Sequence, residues 1–111
     1  MIPVEHYVLL SALLFVIGGV GFLVRRNVLV TLMSIEVMLN ATNLALVAFN
    51  RARPLHVVGQ AYAGANHTGQ VFAFFIIAAE AAEVAVGLAI VLALYRLRRT
   101  VLSDEADLLK N

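Results

Sequence analysis

The sequence has no cysteine and no tryptophan, only two prolines, and only 14% charged residues in a chain of 111. The missing cysteine excludes disulfides, iron–sulfur clusters, thiolate zinc sites and cysteine nucleophiles together. Histidine is scarce as well. His6, His56 and His67 all lie outside the apolar runs, and no two are spaced as metal ligands on one helix. Haem ligation within a membrane therefore has no candidate residue. With a net charge of only +1, bulk charge gives no case for nucleic-acid binding. There is no glycine-rich phosphate loop, no Ser/His/Asp set, no internal repeat and no low-complexity segment.

Apolar sequence is what remains. Hydrophobic residues make up 62% of the chain, and the mean hydropathy is +0.93. A soluble domain of this size needs more polar surface than that. The apolar residues gather into runs at Tyr7–Val24, Val28–Phe49 and Val71–Tyr95, with both prolines, Pro3 and Pro54, outside them. At 1.5 Å per residue the runs reach roughly 27, 33 and 37 Å, enough to cross a hydrocarbon core of about 30 Å. Tyr7 and Tyr95 sit at run ends, where an amphipathic ring prefers to lie. The sequence thus predicts an all-α membrane protein, one membrane domain over residues 1–111 with three transmembrane helices and a tail at 96–111. The first run has no basic segment before it and two arginines after it, so it is expected to stay as a span and not to act as a signal peptide.

Basic residues set the expected orientation. Arg25, Arg26, Arg96, Arg98, Arg99 and Lys110 fall on one side of a three-span chain, and only Arg51 and Arg53 on the other. The positive-inside rule then predicts an N-terminus outside and a cytoplasmic C-terminus. The turn Arg25-Arg26-Asn27 is short enough to make the first two spans an antiparallel hairpin. The tail, with Asp104, Glu105 and Asp107, reads as a solvated or surface-docked segment.

Three carboxylates lie inside the spans: Glu36, Glu80 and Glu83. Each acidic residue at the centre of a spanning helix costs about 2.5–3.5 kcal/mol on insertion scales. Counted from the cytoplasmic ends, Glu36 lies about 12 Å deep and Glu83 about 18 Å deep, so antiparallel neighbours hold them at similar levels. Glu36, Asn40, Asn43 and Val47 recur at helical spacing, and the first three form a polar stripe that must face protein or water. Glu80 and Glu83 are one turn apart. Two like charges that close in a low dielectric do not both ionise comfortably, so the pair is expected to share protons. Exchangeable protons at mid-membrane are what a proton relay requires. The competing reading keeps these groups neutral or paired, serving only helix association, where polar bonds contribute about 0.6–2 kcal/mol. Gly18, Gly19, Gly21 and Gly87 read as close helix packing.

Across nearly its whole length the chain resembles subunit K of the proton-pumping NADH:quinone oxidoreductase, respiratory complex I. The resemblance rests on "VRRN" at 24–27, "IEVMLNATNLAL" at 35–46, "GQV" at 69–71 and "AAEVAVGLAI" at 81–90. It implies a non-redox subunit of a proton translocase in a bacterial inner (plasma) membrane, with Glu36 and Glu83 in the proton relay. Arg25, Arg26 and Asn27 match the family's conductive-side loop, with Asn40 and Asn43 as supporting polar groups. Glu80 departs from the family pattern and is expected to tune Glu83. No cofactor is expected on this chain. NADH, FMN, iron–sulfur clusters and quinone would be handled elsewhere in the complex, and the expected neighbours are its J, A and N subunits and the lipid bilayer.

Other readings are weighed against this one. The C subunit of a multi-subunit sodium/proton antiporter also has three spans, but it carries a "DPLPQALVLTAIVI"-like run that is absent here. A four-span drug/proton exporter would have tryptophan and an aromatic cavity. A rotor-ring subunit would be a two-span hairpin. A purely structural assembly subunit is the remaining non-transport alternative.

Overall fold

A computed structural model describes residues 2–52, 67–99 and 101–103. It contains helices α1 (Val4–Val24), α2 (Val28–Ala52) and α3 (Thr68–Arg98). They hold 21, 25 and 31 residues, about 32, 38 and 47 Å of helix. All three are long and apolar enough to cross a membrane, and no strand is present among the described residues. Each helix contains one of the apolar runs and extends past it at one or both ends. Helical hydrogen bonding continues into the interfacial region, where Glu5, Arg51, Arg96 and Arg98 can be solvated. The segment 53–66, with Arg53, Pro54 and His56, lies outside the described residues. So does the acidic part of the tail, 104–111.

The burial pattern is inverted relative to a soluble domain. Large apolar side chains such as Leu23, Phe74 and Phe75 are exposed, and among the described residues no large side chain is fully buried and the buried ones are mostly small. Lipid tails solvate leucine as well as another leucine does, so helices associate through small residues and polar bonds. α2 is the middle helix and packs against both α1 and α3. One of its faces carries Ser34, Ala41 and Ala48, spaced seven apart and all buried. This face meets Ser11 and Gly18 of α1, also seven apart and buried. The Ser11 hydroxyl donates to the Ala41 carbonyl at 2.5 Å. A Cβ on Gly18 would stand 2.6 Å from Met38 Cγ and 2.9 Å from the Ser34 carbonyl, and one on Gly21 would stand 2.6 Å from Ser34 Oγ. Gly18 and Gly21 therefore serve close packing as expected. Gly19 does not, because a Cβ there would meet open space.

The opposite face of α2 meets α3 through Gly69, Ala73, Glu80, Val91 and Leu94, the buried stripe of that helix, with the half-buried Gly87 among them. Near one end the Gly69 amide donates to Asn50 Oδ1 at 3.1 Å. Near the other end a Cβ on Gly87 would stand 2.8 Å from Leu32 Cδ2. These two contacts fix an antiparallel register in which position 36 lies opposite position 83.

Asn27 starts α2. Its side-chain Oδ1 accepts the Leu29 amide at 2.9 Å, and its carbonyl accepts from the Thr31 amide at 3.0 Å. This is the N-cap arrangement, satisfying a donor that the first turn leaves orphaned. The chain after α3 then returns to the same turn. Arg99 adopts a left-handed conformation with φ 56°, which reverses direction. Val101 accepts from the Val28 amide at 2.8 Å, and Ser103 donates its amide to the Arg26 carbonyl at 3.0 Å. Of the expected solvated or docked tail, residues 101–103 are docked. Asn27→Ala is expected to destabilise the subunit by about 0.5–2 kcal/mol. Thermal melting of the purified protein should show the loss, and Asn27→Asp, which keeps a capping oxygen, should recover most of it.

The two interfacial tyrosines each carry an arginine. Arg51 Cζ lies 6.0 Å from the Tyr7 ring centroid, and Arg99 Cζ lies 5.9 Å from that of Tyr95. Cation–π contact at this range holds guanidinium and ring together at the level where both are half-solvated.

Candidate functional site: three carboxylates in one cleft

The intramembrane glutamates converge. Glu36, Glu80 and Glu83 line a single cleft between α2 and α3, closed on its other sides by Leu32, Ile35, Leu39 and Val84. The cleft has room for about one water molecule. Glu36 and Glu83 come together because the α2–α3 register sets them opposite each other. Glu80 joins them from one turn away along α3.

The carboxylates are not equivalent. Glu80 is only 8% exposed and lies on the buried stripe of α3, whereas Glu36 and Glu83 are exposed at the cleft rim. Asn43, also 8% exposed, donates from Nδ2 to Glu80 Oε1 at 3.3 Å. Its Oδ1 is buried with no partner. Sequence spacing placed Glu36 in a stripe with Asn40 and Asn43, and the structure divides that stripe. Asn43 turns into the α2–α3 seam. Asn40 is exposed and donates from Nδ2 to the Glu36 backbone carbonyl at 2.9 Å, within its own helix. Val47 lies with Gln70, Ala73, Phe74 and Ile77 further along the same seam.

Arg25 and Arg26 stand apart from the carboxylates, in the α1–α2 turn, with exposed side chains. Together with Asn27 they form the strand-like segment that the 101–103 tail clips, through the isolated bridge Asn27–Leu102. Neither the clip nor the burial of Glu80 was foreseen in the sequence. A signal for Glu80 was present, since it falls midway between Ala73 and Gly87 in a seven-residue rhythm of small residues. The clip involves only backbone atoms and one serine, and leaves no side-chain pattern to read.

Among the described residues no cluster of three or more His, Cys, Asp or Glu has metal-binding geometry. The cleft is thus a set of three carboxyl side chains between apolar walls.

Residues 6–111 match the protein family described as NADH-ubiquinone/plastoquinone oxidoreductase chain 4L. The chain is 58% identical over 110 residues to the NADH-quinone oxidoreductase subunit K of Sorangium cellulosum, covering 99% of this chain and 97% of that one. It is 52% identical over 105 residues to subunit K 1 of Koribacter versatilis, covering 95% and 92%. To subunit K of Acidobacterium capsulatum it is 49% identical over 113 aligned positions, covering 99% of each. With the family match spanning nearly the whole chain and full-length relatives at this identity, the chain belongs to the NADH-quinone oxidoreductase subunit K (chain 4L) family.

Proposed function

We propose that this chain supplies part of the proton path through the membrane arm of an NADH:quinone oxidoreductase, with Glu36 and Glu83 as the carboxylates that take up and release protons. The supporting observation is their placement. Two spanning helices bring acidic side chains to one level and one cleft, in a chain that otherwise avoids charge within its spans. Carrying such residues at mid-membrane is costly, and their common role in membrane proteins is in ion and proton pathways. The chemistry needed is small. A carboxylate accepts a proton from a water or a neighbouring acid, and an O–H bond forms there as another breaks. The apolar walls keep bulk water from short-circuiting the transfer.

Redox chemistry is assigned to other subunits. A chain without cysteine, whose histidines lie outside the apolar runs, offers no ligand set for an iron–sulfur cluster or haem. NADH, FMN and quinone are likewise assigned elsewhere, and no step of the path described here passes through them. The partners we assign are the J, A and N subunits and the surrounding lipid of a bacterial inner membrane. Glu36 and Glu83 open outward from this chain, so their further hydrogen-bond partners belong to those neighbours.

The same reading orients the protein, with the N-terminus outside and the 25–27 turn and the tail in the cytoplasm. Leu102→Cys and His67→Cys should react with an impermeant thiol reagent from opposite faces of sealed vesicles. Labelling of both from one face overturns the orientation and the three-span path with it. The proton role itself is tested by converting each carboxylate to its amide and measuring proton translocation against NADH oxidation in the assembled complex.

A further inference from the structure

The geometry points to Glu80 as a carboxylic acid that keeps its proton, held as an acid–amide pair with Asn43 at the floor of the cleft. Its hydroxyl donates to Asn43 Oδ1, while Asn43 Nδ2 donates back to the other carboxyl oxygen.

The observation that carries this is the orphaned amide oxygen. Asn43 Nδ2 reaches Glu80 Oε1 at 3.3 Å, yet Asn43 Oδ1 is buried without a partner. An ionised carboxylate has only acceptors, so it can serve the Nδ2 half of the amide and never the Oδ1 half. Turning the amide over changes nothing, because one of its two ends would still be left unmet. A protonated carboxyl carries one donor beside its acceptor, and it satisfies both ends of the amide at once. Leaving a buried acceptor unmet costs about 1–3 kcal/mol. The remaining cleft walls are Leu32, Ile35, Leu39 and Val84, which offer no side-chain donor.

The charges facing Glu80 favour the same state. Glu36 approaches from α2 and Glu83 from α3, and both line its cleft. No arginine or lysine is among the lining residues to offset a third negative charge. Both members of the pair are more than nine-tenths buried, so water does not screen them.

Within the relay, Glu80 then acts through its neighbours as a positioning residue. It occupies the cleft floor without adding a charge, and it anchors the α2–α3 seam between the Asn50–Gly69 and Leu32–Gly87 contacts. This role rests on the proposed function. The protonation of Glu80 and its pairing with Asn43 do not.

The test is infrared spectroscopy of the intact complex in lipid, comparing parent with Glu80→Gln. The difference spectrum is expected to show loss of one protonated-carboxyl C=O band that resists exchange with bulk buffer. If only carboxylate bands are lost, Glu80 is ionised and the inference fails. In Asn43→Leu the same band should move to higher frequency as its hydrogen bond is lost, and an unmoved band overturns the pairing. Assembly supplies a second readout. Glu80→Gln can form the equivalent amide–amide pair and should assemble like the parent. Glu80→Ala leaves both ends of Asn43 unmet and should lower the assembled amount about tenfold, the cost of a buried unsatisfied group. Equal assembly of the two variants counts against the pair. If the band behaves as expected while Glu36→Gln and Glu83→Gln pump protons normally, the acid–amide pair stands and the proton-path reading falls.

Discussion

Glu83→Gln is expected to lower proton translocation by the assembled complex about a hundredfold or more, and Glu36→Gln to do the same. Glutamine keeps the shape of the side chain and its hydrogen-bonding reach but has no exchangeable carboxyl proton. Groups that transfer protons in a rate-limiting step commonly contribute about 10²–10⁴-fold. Amide substitution also removes a charge that is costly in the membrane, so assembly should not suffer. The two residues face each other across one cleft, and residues acting in one path are not additive. The double variant should be little worse than either single one. The measurement is proton uptake or release per NADH oxidised in sealed vesicles, with subunit content checked alongside.

The geometry also allows a relocation. Asn40 lies one turn from Glu36 on the same face, and both are exposed. Glu36→Ala combined with Asn40→Glu returns a carboxylate to that face and should recover part of the translocation lost in Glu36→Ala alone. Full pumping by both amide variants would leave the carboxylates with a structural role only. Loss of assembly in Glu36→Gln would point to helix association instead of a relay.

Much of the architecture was legible because the membrane simplifies the physics. Backbone groups in lipid must bond within their own helix, so an apolar run of sufficient length has only one outcome. That is why the runs beginning at Tyr7, Val28 and Val71 correspond to α1, α2 and α3. Depth was legible too, since helical rise converts position into distance. Glu36 and Glu83 could be placed at similar levels before their register was seen. Facing was harder to read. Sequence spacing grouped Glu36, Asn40 and Asn43 on one side of α2, but α2 is the middle helix and has two partners. Small departures around its circumference decide whether a residue enters a seam or opens outward. Asn43 enters the α3 seam, whereas Asn40 bonds its own backbone. Depth alone says nothing of burial. Depth runs along the helix axis, and burial is set by angle around it. Glu83 stands about 60° from Glu80 around α3, and that angle separates the buried floor of the cleft from its rim. The tail clip was hidden for a different reason, being made mostly by backbone atoms whose pairing no side-chain pattern encodes.

The same distinction of angle gives a sharp expectation for two adjacent glycines. Gly18→Ala should strongly reduce the amount of folded, assembled subunit, while Gly19→Ala should leave it unchanged or slightly raised. By helix propensity the two substitutions are equal, each replacing glycine with a residue about 1 kcal/mol better in a helix. Packing separates them. At Gly18 the added methyl would come within 2.6 Å of Met38 Cγ and 2.9 Å of the Ser34 carbonyl oxygen. Met38 can move its flexible side chain, but the Ser34 carbonyl is part of the α2 backbone, so relief requires α1 to back away. That movement would lengthen the nearby bond from Ser11 to the Ala41 carbonyl and part the Ser11–Gly18 face from the Ser34–Ala41–Ala48 face. Overpacking of a close-fitted seam costs about 1–3 kcal/mol; net of the propensity gain, the upper part of that range lowers the folded fraction of a marginal membrane hairpin by about tenfold or more. At Gly19 the same methyl meets open space, and only the propensity gain remains. Quantifying each variant in purified membranes, beside its resistance to detergent-induced dissociation, separates the cases. Equal behaviour of Gly18→Ala and Gly19→Ala would mean that the α1–α2 seam is not held by this close approach.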